Sequence, residues 1–191
     1  MKVKLLVAAL ATSLIFSGGA IAGGMGKSKA GYANPTVGGA AMLANKDIVD
    51  NVVNSADHTT LVAAVKAAGL VETLKGAGPF TLFAPTNAAF DALPAGTVDT
   101  LLKPENKGTL TSVLTYHVVP GKMDAAALTA KIKQGGGSAT ITTVQGEDLT
   151  VRAAGKGVSV TDAKGNVASV TIANVYQSNG VIHVIDKVLM P

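Results

Sequence analysis

The chain has 191 residues, of which 48% are apolar and only 4% aromatic, so its core must be built mainly from Val, Leu, Ile and Ala. It contains no Cys, which excludes a disulfide framework, a thiolate metal site and a lipid-modified N-terminal cysteine. The formal charge is +4 and falls by two when Lys2 and Lys4 of the N-terminal segment are set aside. So small a charge excludes the basic footprint of a nucleic-acid-binding protein.

Residues 1–22 have the layout of a secretory signal peptide. Lys2 and Lys4 form a short basic start, an apolar run covers residues 5–16, and small residues end the segment at Ala20-Ile-Ala22. This order predicts export with cleavage after Ala22. The alternative is an uncleaved membrane anchor, which the shortness of the apolar run disfavours. No later segment is expected to cross a membrane.

Residues 23–44 are rich in Gly, Ala and Ser and are predicted to be a flexible lead-in, although Tyr32 and Met42 could dock on the domain. A helical apolar pattern begins only near Ile48. The predicted organisation is therefore a signal peptide at 1–22, a lead-in at 23–44 and one domain at 45–191. We expect this domain to fold without its lead-in.

The middle of the chain alternates helical patterns with one early strand. A helix is predicted at 59–68 with Asp57 as its cap, followed by a strand at 80–84 that Pro85 stops. Thr86 or Asn87 then caps the next helix, which presents Phe90 to the core. Further helices are predicted from a cap at residue 97, from about residue 105, and at 125–132.

The final third changes to an alternating pattern rich in Val, Ile and Thr. Strands are predicted at 140–144, 149–153, 157–161, 168–175 and 181–189, separated by glycine- and asparagine-containing turns. Helices followed by consecutive strands indicate an α+β fold rather than a parallel α/β sheet.

Three motifs, in order, resemble those of the fasciclin-type adhesion domain. They are Phe80-Thr-Leu-Phe-Ala-Pro-Thr-Asn-Ala-Ala-Phe90, Tyr116-His117-Val-Val-Pro-Gly121 and Asn179-Gly-Val-Ile-His-Val-Ile-Asp-Lys-Val-Leu-Met-Pro191. The resemblance covers roughly residues 45–191. It implies a wedge-shaped β-sandwich with several helices packed on one side, in which the last strand returns to lie near the first.

Familiar catalytic and metal-binding motifs are missing from the sequence. It contains no H-E-x-x-H, no G-x-S-x-G and no phosphate-binding loop, and its three histidines lack the spacing of metal ligands. The acidic residues are dispersed, and none pairs as general acid and base. We therefore expect no enzyme activity, no cofactor and no metal ion.

Tyr116 and His117 are the pair that most needs interpretation. The resemblance implies a role in partner binding, as in the family. The alternative is structural: His117 continues an apolar helix face, so its ring would satisfy buried backbone groups with the Tyr116 phenol covering it. We favour the structural interpretation, also for His183 and Asp186. The candidate interaction or motif residues are Thr86, Asn87, Tyr116, His117, His183 and Asp186.

The resemblance implies a non-catalytic adhesion domain, periplasmic or secreted, that binds a protein or polysaccharide of the cell surface or matrix. The first alternative is a carrier of an apolar small molecule, a carotenoid or a lipid, held in a groove between helices and sandwich. The second is a purely structural envelope component with no specific partner.

Overall fold

The computed structural model describes residues 34–191. The predicted signal peptide and the first part of the lead-in lie outside the described residues. The helices are α1 (Ile48–Val52), α2 (Thr59–Ala68), α3 (Val71–Lys75), α4 (Asn87–Asp91), α5 (Thr97–Leu102), α6 (Lys107–Tyr116) and α7 (Ala125–Gln134), with 3-10 turns at Ala56–His58 and Pro104–Asn106. The strands are β1 (Thr36–Val37), β2 (Ala40–Ala41), β3 (Phe80–Pro85), β4 (Val118–Pro120), β5 (Ser138–Thr142), β6 (Asp148–Ala154), β7 (Gly157–Thr161), β8 (Val167–Gln177) and β9 (Gly180–Ile185).

Seven of the strands form one nearly closed sheet in the order β4-β3-β9-β8-β7-β6-β5. All neighbours are antiparallel except β3 and β9, which run parallel with Phe83 opposite His183. The two ends of the sheet meet where the Val144 N–H donates to the Val118 carbonyl at 2.8 Å. The predicted α+β class is confirmed, and the last strand does return beside the first.

The side chains of β3 and β9 point alternately into two hydrophobic cores. Leu82 on β3 and Ile182 on β9 face the helical core, where α1, α2 and α6 cover the sheet. Phe83 and Ile185 face the opposite way, into a core enclosed by the curled sheet and α7. The two central strands are buried on both faces because each face has its own cover.

Strand β8 is irregular at the place where it passes from one half of the sheet to the other. Its register against β9 shifts twice between Val170 and Val175. Asn174, inside this bulged stretch, has a positive φ of 61°. Its side-chain oxygen accepts the Ala125 N–H at 2.7 Å and so ties the bulge to the first turn of α7. Bulges of this kind bend a strand and redirect its side chains.

Two predicted helix caps differ from the structure. Gly96, with a φ of 79°, precedes α5 where Thr97 was predicted as cap, because the chain turns there in a left-handed conformation that favours glycine. His58 rather than Asp57 lies at the start of α2, since a 3-10 turn leads into this helix. Neither change moves a helix by more than its first turn.

Most predicted strands differ from the structure by one or two residues at an end, and the first and last of the late strands differ most. The first of the late strands is Ser138–Thr142 rather than 140–144, because the Val144 N–H bonds to β4 instead of to β6. The last strand ends at Ile185 rather than at residue 189. There the Asp186 carboxylate replaces a backbone carbonyl as acceptor of the Ser169 N–H, at 2.7 Å, and the regular ladder stops.

The described end of the lead-in packs on the domain. Val37 and Met42 are only 3% and 2% exposed and belong to the helical core. The Gly38 carbonyl accepts the Ala56 N–H at 3.0 Å, and the Asn51 side chain pairs with both backbone groups of Leu43. Residues 34–43 are thus not a free linker. The position at which the domain begins stays a prediction. These contacts favour a domain that begins before residue 45.

Candidate functional site

The His117 ring joins the end of α6 to the C-terminal segment. Its Nδ1–H donates to the Val113 carbonyl at 2.8 Å, and its Nε2 accepts the Leu189 N–H at 3.0 Å. The side chain is 1% exposed. Burial lowers the His117 pKa to about 4, against smaller raising effects of the Val113 carbonyl and Asp162. The prediction that this ring satisfies buried backbone groups is confirmed.

The neighbouring Tyr116 is 0% exposed and lies in the core enclosed by the sheet. Its hydroxyl donates to the Asp148 carbonyl at 3.1 Å and accepts the Ala163 N–H at 2.9 Å. Burial raises the Tyr116 pKa, so the phenol is neutral at physiological pH. The phenol was expected to cover His117, but its hydroxyl instead ties β6 to the turn after β7.

Asp162 completes this arrangement, although it lies in none of the three sequence motifs. Its Oδ1 accepts the N–H groups of Lys164 and Asn166, and its Oδ2 accepts the Met190 N–H at 3.0 Å. His117 and Asp162 therefore hold consecutive N–H groups, those of Leu189 and Met190. The local signal was the spacing Asp162-Ala-Lys-Gly-Asn166, which is typical of a side-chain-supported turn.

Thr86 and Asn87, at the start of α4, bind different backbone groups. Thr86 is the cap, and its hydroxyl oxygen accepts the Ala89 N–H at 3.3 Å. Asn87 instead contacts the start of α2 and the 3-10 turn before it: its Oδ1 accepts the Thr60 N–H and its Nδ2 donates to the Ala56 carbonyl. Both side chains organise backbone.

His183 lies in the middle of β9, 0% exposed, with its ring stacked on Phe83 at a centroid distance of 5.7 Å. Its Nε2–H donates to the Met123 carbonyl at 2.8 Å, whereas its Nδ1 is buried without a hydrogen-bond partner. Burial lowers the His183 pKa, while the Met123 carbonyl and Asp124 act in the opposite direction. The ring is therefore neutral, and Nδ1 is an acceptor.

His58 is the third buried histidine. Its Nδ1 lies 2.9 Å from the Ser55 hydroxyl. Burial lowers its pKa, opposed by the Ala84 carbonyl and Asp57. Each of the three imidazole rings thus forms a hydrogen bond with another group of the same chain.

The predicted site residues do not form one cluster. Tyr116 and His117 meet the C-terminal segment, Thr86 and Asn87 organise α4, and His183 contacts the segment before α7. Within residues 34–191, no group of three or more His, Asp or Glu side chains could hold a metal ion. No helix of this part of the chain is long and apolar enough to span a bilayer.

A family model for the fasciclin domain matches residues 56–191. The chain belongs to the fasciclin domain family. Protein sll1483 of Synechocystis is 51% identical over 144 residues, which cover 75% of this chain and 73% of that protein. The cell surface glycolipoprotein MPB83 of Mycobacterium bovis is 38% identical over 175 residues, covering 87% of this chain and 72% of the glycolipoprotein.

Among solved structures, a domain pair of the insect cell adhesion molecule fasciclin I aligns with a TM-score of 0.46 and 21% identity. The alignment covers 74% of this chain and 43% of that structure, so the chain spans less than half of the domain pair.

Proposed function

We propose that this fasciclin-domain protein is exported and acts as a non-catalytic interaction domain for a partner at the cell surface or in the surrounding matrix. One observation carries the proposal: the two histidines and the tyrosine of the family motifs, His117, His183 and Tyr116, are buried and bound within the fold. His117 and Tyr116 are committed to four backbone groups, and His183 to a fifth. A rigid, chemically inert core is suited to presenting a surface.

The proposal is supported by the name of one relative. MPB83, which is 38% identical to this chain, is a cell surface glycolipoprotein. Since fold alone does not determine function, this relative favours surface interaction without naming a partner. A protein and a polysaccharide both remain candidate partners, while nucleic acid is disfavoured by the small net charge.

The test is saturable binding of the labelled mature protein to intact cells and to isolated envelope. We expect binding that unlabelled protein displaces and that heat-unfolded protein does not show. Protease and periodate treatment of the envelope then separate a protein partner from a polysaccharide. Binding that does not saturate, or that persists with unfolded protein, would contradict the proposal.

A carrier of an apolar molecule is the second candidate, and one feature favours it. A small cavity between α1, α2 and α3 is lined by apolar side chains and by the aliphatic part of the Lys66 side chain. Val53, which also lines it, is 45% exposed. The free volume of this cavity is only about 50 Å³, whereas a cavity that holds benzene measures about 150 Å³. A carotenoid would fit only if α1 and α2 moved apart.

The two candidates differ in what accompanies the protein during purification. A carrier isolated from its native host should bring a coloured or lipid molecule, detectable by absorbance and by mass spectrometry of an organic extract. Protein that saturates its envelope sites while the extract is empty would support the interaction domain and exclude the carrier.

A further inference from the structure

A groove with a free volume of about 490 Å³ lies between α4, the turn after β7 and the C-terminal segment. We call it the α4 groove. Its volume is within the range of about 300–1,000 Å³ that is typical of small-molecule sites, so one small ligand fits. It shares no lining residue with the cavity between α1, α2 and α3.

Most residues that line the α4 groove are apolar. Leu93, Pro94 and Met190 belong to this lining, and all three are at least partly exposed. A ligand can therefore reach them without any movement of the chain. An apolar surface of this kind favours a ligand with an apolar body.

Buried hydrogen bonds hold two walls of the α4 groove in place. Asp162 accepts N–H groups from both walls, that of Lys164 in the turn and that of Met190 in the C-terminal segment. His117 accepts the neighbouring Leu189 N–H. The groove is therefore preformed, and a ligand binds without first having to order these walls.

The charged side chains that line the α4 groove are both positive. Lys164 and Lys187 contribute to its wall, and both are exposed. Among the described residues, no Asp or Glu lines the groove, and neither lysine forms an ion pair. Two ammonium groups beside one apolar groove favour a ligand that also carries an anionic group.

The nearest carboxylates are used or face elsewhere. Asp162 is buried, with both oxygens bonded to N–H groups. Asp186 follows β9 and accepts a backbone N–H of β8. Asp91 and Asp99 line a separate cavity that shares Pro94 with the groove. The α4 groove therefore keeps its positive charge.

We propose that the α4 groove binds a single-chain amphiphilic anion, a fatty-acid carboxylate. Its alkyl chain lies along Leu93, Pro94 and Met190, and its carboxylate contacts Lys164 and Lys187. A sugar acid or an uncharged hydrocarbon meets only one of the two requirements. The proposal stands apart from the proposed function, because a fatty acid binds here whether or not the domain holds a surface partner.

The test is a titration of the ¹⁵N-labelled protein, followed by NMR, with octanoate, octanol, butyrate and octylammonium. We expect saturable shifts of the Lys164, Asn166 and Lys187 amide resonances with octanoate. Octanol lacks the charge and butyrate lacks most of the chain, so each should bind at least about tenfold more weakly. Octylammonium has the same chain and the opposite charge, and should bind more weakly than octanol.

The two parts of the site are separated by variants. Lys164→Gln with Lys187→Gln removes both charges, and should weaken octanoate binding at least about tenfold while leaving octanol binding unchanged. Leu93→Ala reduces the apolar wall and should weaken both ligands by a similar factor. Lys131→Gln with Lys133→Gln is the matched control, because these two exposed lysines of α7 lie outside the groove.

Three results would overturn the proposal. The first is the absence of a saturable shift with octanoate. The second is equal affinity for octanoate, octanol and octylammonium, which would mean that the lysines do not take part. The third is octanoate binding that the variant of Lys164 and Lys187 leaves unchanged, which would place the ligand elsewhere on the protein.

Discussion

His117 and Leu189 lie 72 residues apart in sequence and are joined by a hydrogen bond, in which the Leu189 N–H donates to His117 Nε2 at 3.0 Å. The other ring nitrogen holds the Val113 carbonyl, so one side chain fastens the C-terminal segment to the end of α6. The Tyr116-His117 motif therefore acts first as a structural clamp, and its effect on binding can be separated from its effect on folding.

His117→Ala should lower the free energy of unfolding by about 1–3 kcal/mol, because it leaves the Val113 carbonyl and the Leu189 N–H unpaired in the interior. Chemical denaturation and envelope binding are measured on the same preparations. Leu114→Ala, a buried neighbour on α6, is the control for lost stability. Loss of binding by His117→Ala with a wild-type unfolding curve would make the motif a contact site.

Acid should destabilise the protein between about pH 6.5 and pH 4. The His117 pKa is about 4 in the folded chain and about 6.5 when unfolded, so the unfolded state binds the proton first as pH falls. The neutral His117 ring makes its full contribution to the free energy of unfolding above about pH 6.5. At pH 4 this contribution has fallen by about 3 kcal/mol. The lowered pKa values of His58 and His183 act in the same direction.

Urea unfolding at pH 7 and pH 4.5 measures this effect. His117→Gln is the matched variant, because its amide retains a donor and an acceptor and does not titrate. Its stability should change less between the two pH values than that of the wild type. An identical change in both proteins would mean that His117 does not contribute.

Phe83→Ala should lower the free energy of unfolding by about 3–5 kcal/mol through lost burial and a residual cavity. The side chain is fully buried and stacked on His183, so its removal also exposes one ring face to empty space. Thermal and urea unfolding give the value. Phe80→Ala, at a partly exposed position on the same strand, should cost less. Equal losses would contradict the assigned burial.

A chain that begins at Ala44 should be less stable than one that begins at residue 23, contrary to the expectation from sequence. It lacks Val37 and Met42, and burying each such side chain contributes about 1.5–3 kcal/mol. The double variant Val37→Ala with Met42→Ala in the longer chain provides the comparison. Identical melting of the long and short chains would show that residues 34–43 add nothing.

The exported protein should begin at Gly23, because a basic start, an apolar run and Ala20-Ile-Ala22 precede it. N-terminal sequencing of protein from the periplasm and the medium determines the cleavage site. Recovery of the full chain, with residues 1–22, in the membrane fraction would support the uncleaved anchor instead.

The sequence by itself determined the class of fold and the type of nearly every element. Helical periodicity around Leu110 and Leu114, and alternation in the last third, follow from local geometry, since each element must bury one face. The strand that contains Phe83 was likewise predictable, because a short run of consecutive apolar residues ended by a proline indicates a buried strand. The first and last of the late strands changed their bounds where a distant strand or a side chain took over a backbone bond, as Asp186 does at the end of β9.

Only the tertiary structure decided how the polar residues are used. Asp162 meets Met190, His183 meets Met123, and Asn179 accepts the Ile48 N–H, over separations of 28, 60 and 131 residues. No local pattern encodes such pairs, because periodicity records which face is buried and not which buried donor meets which acceptor. The docking of Val37 and Met42 on the helical core depends on the same long-range packing.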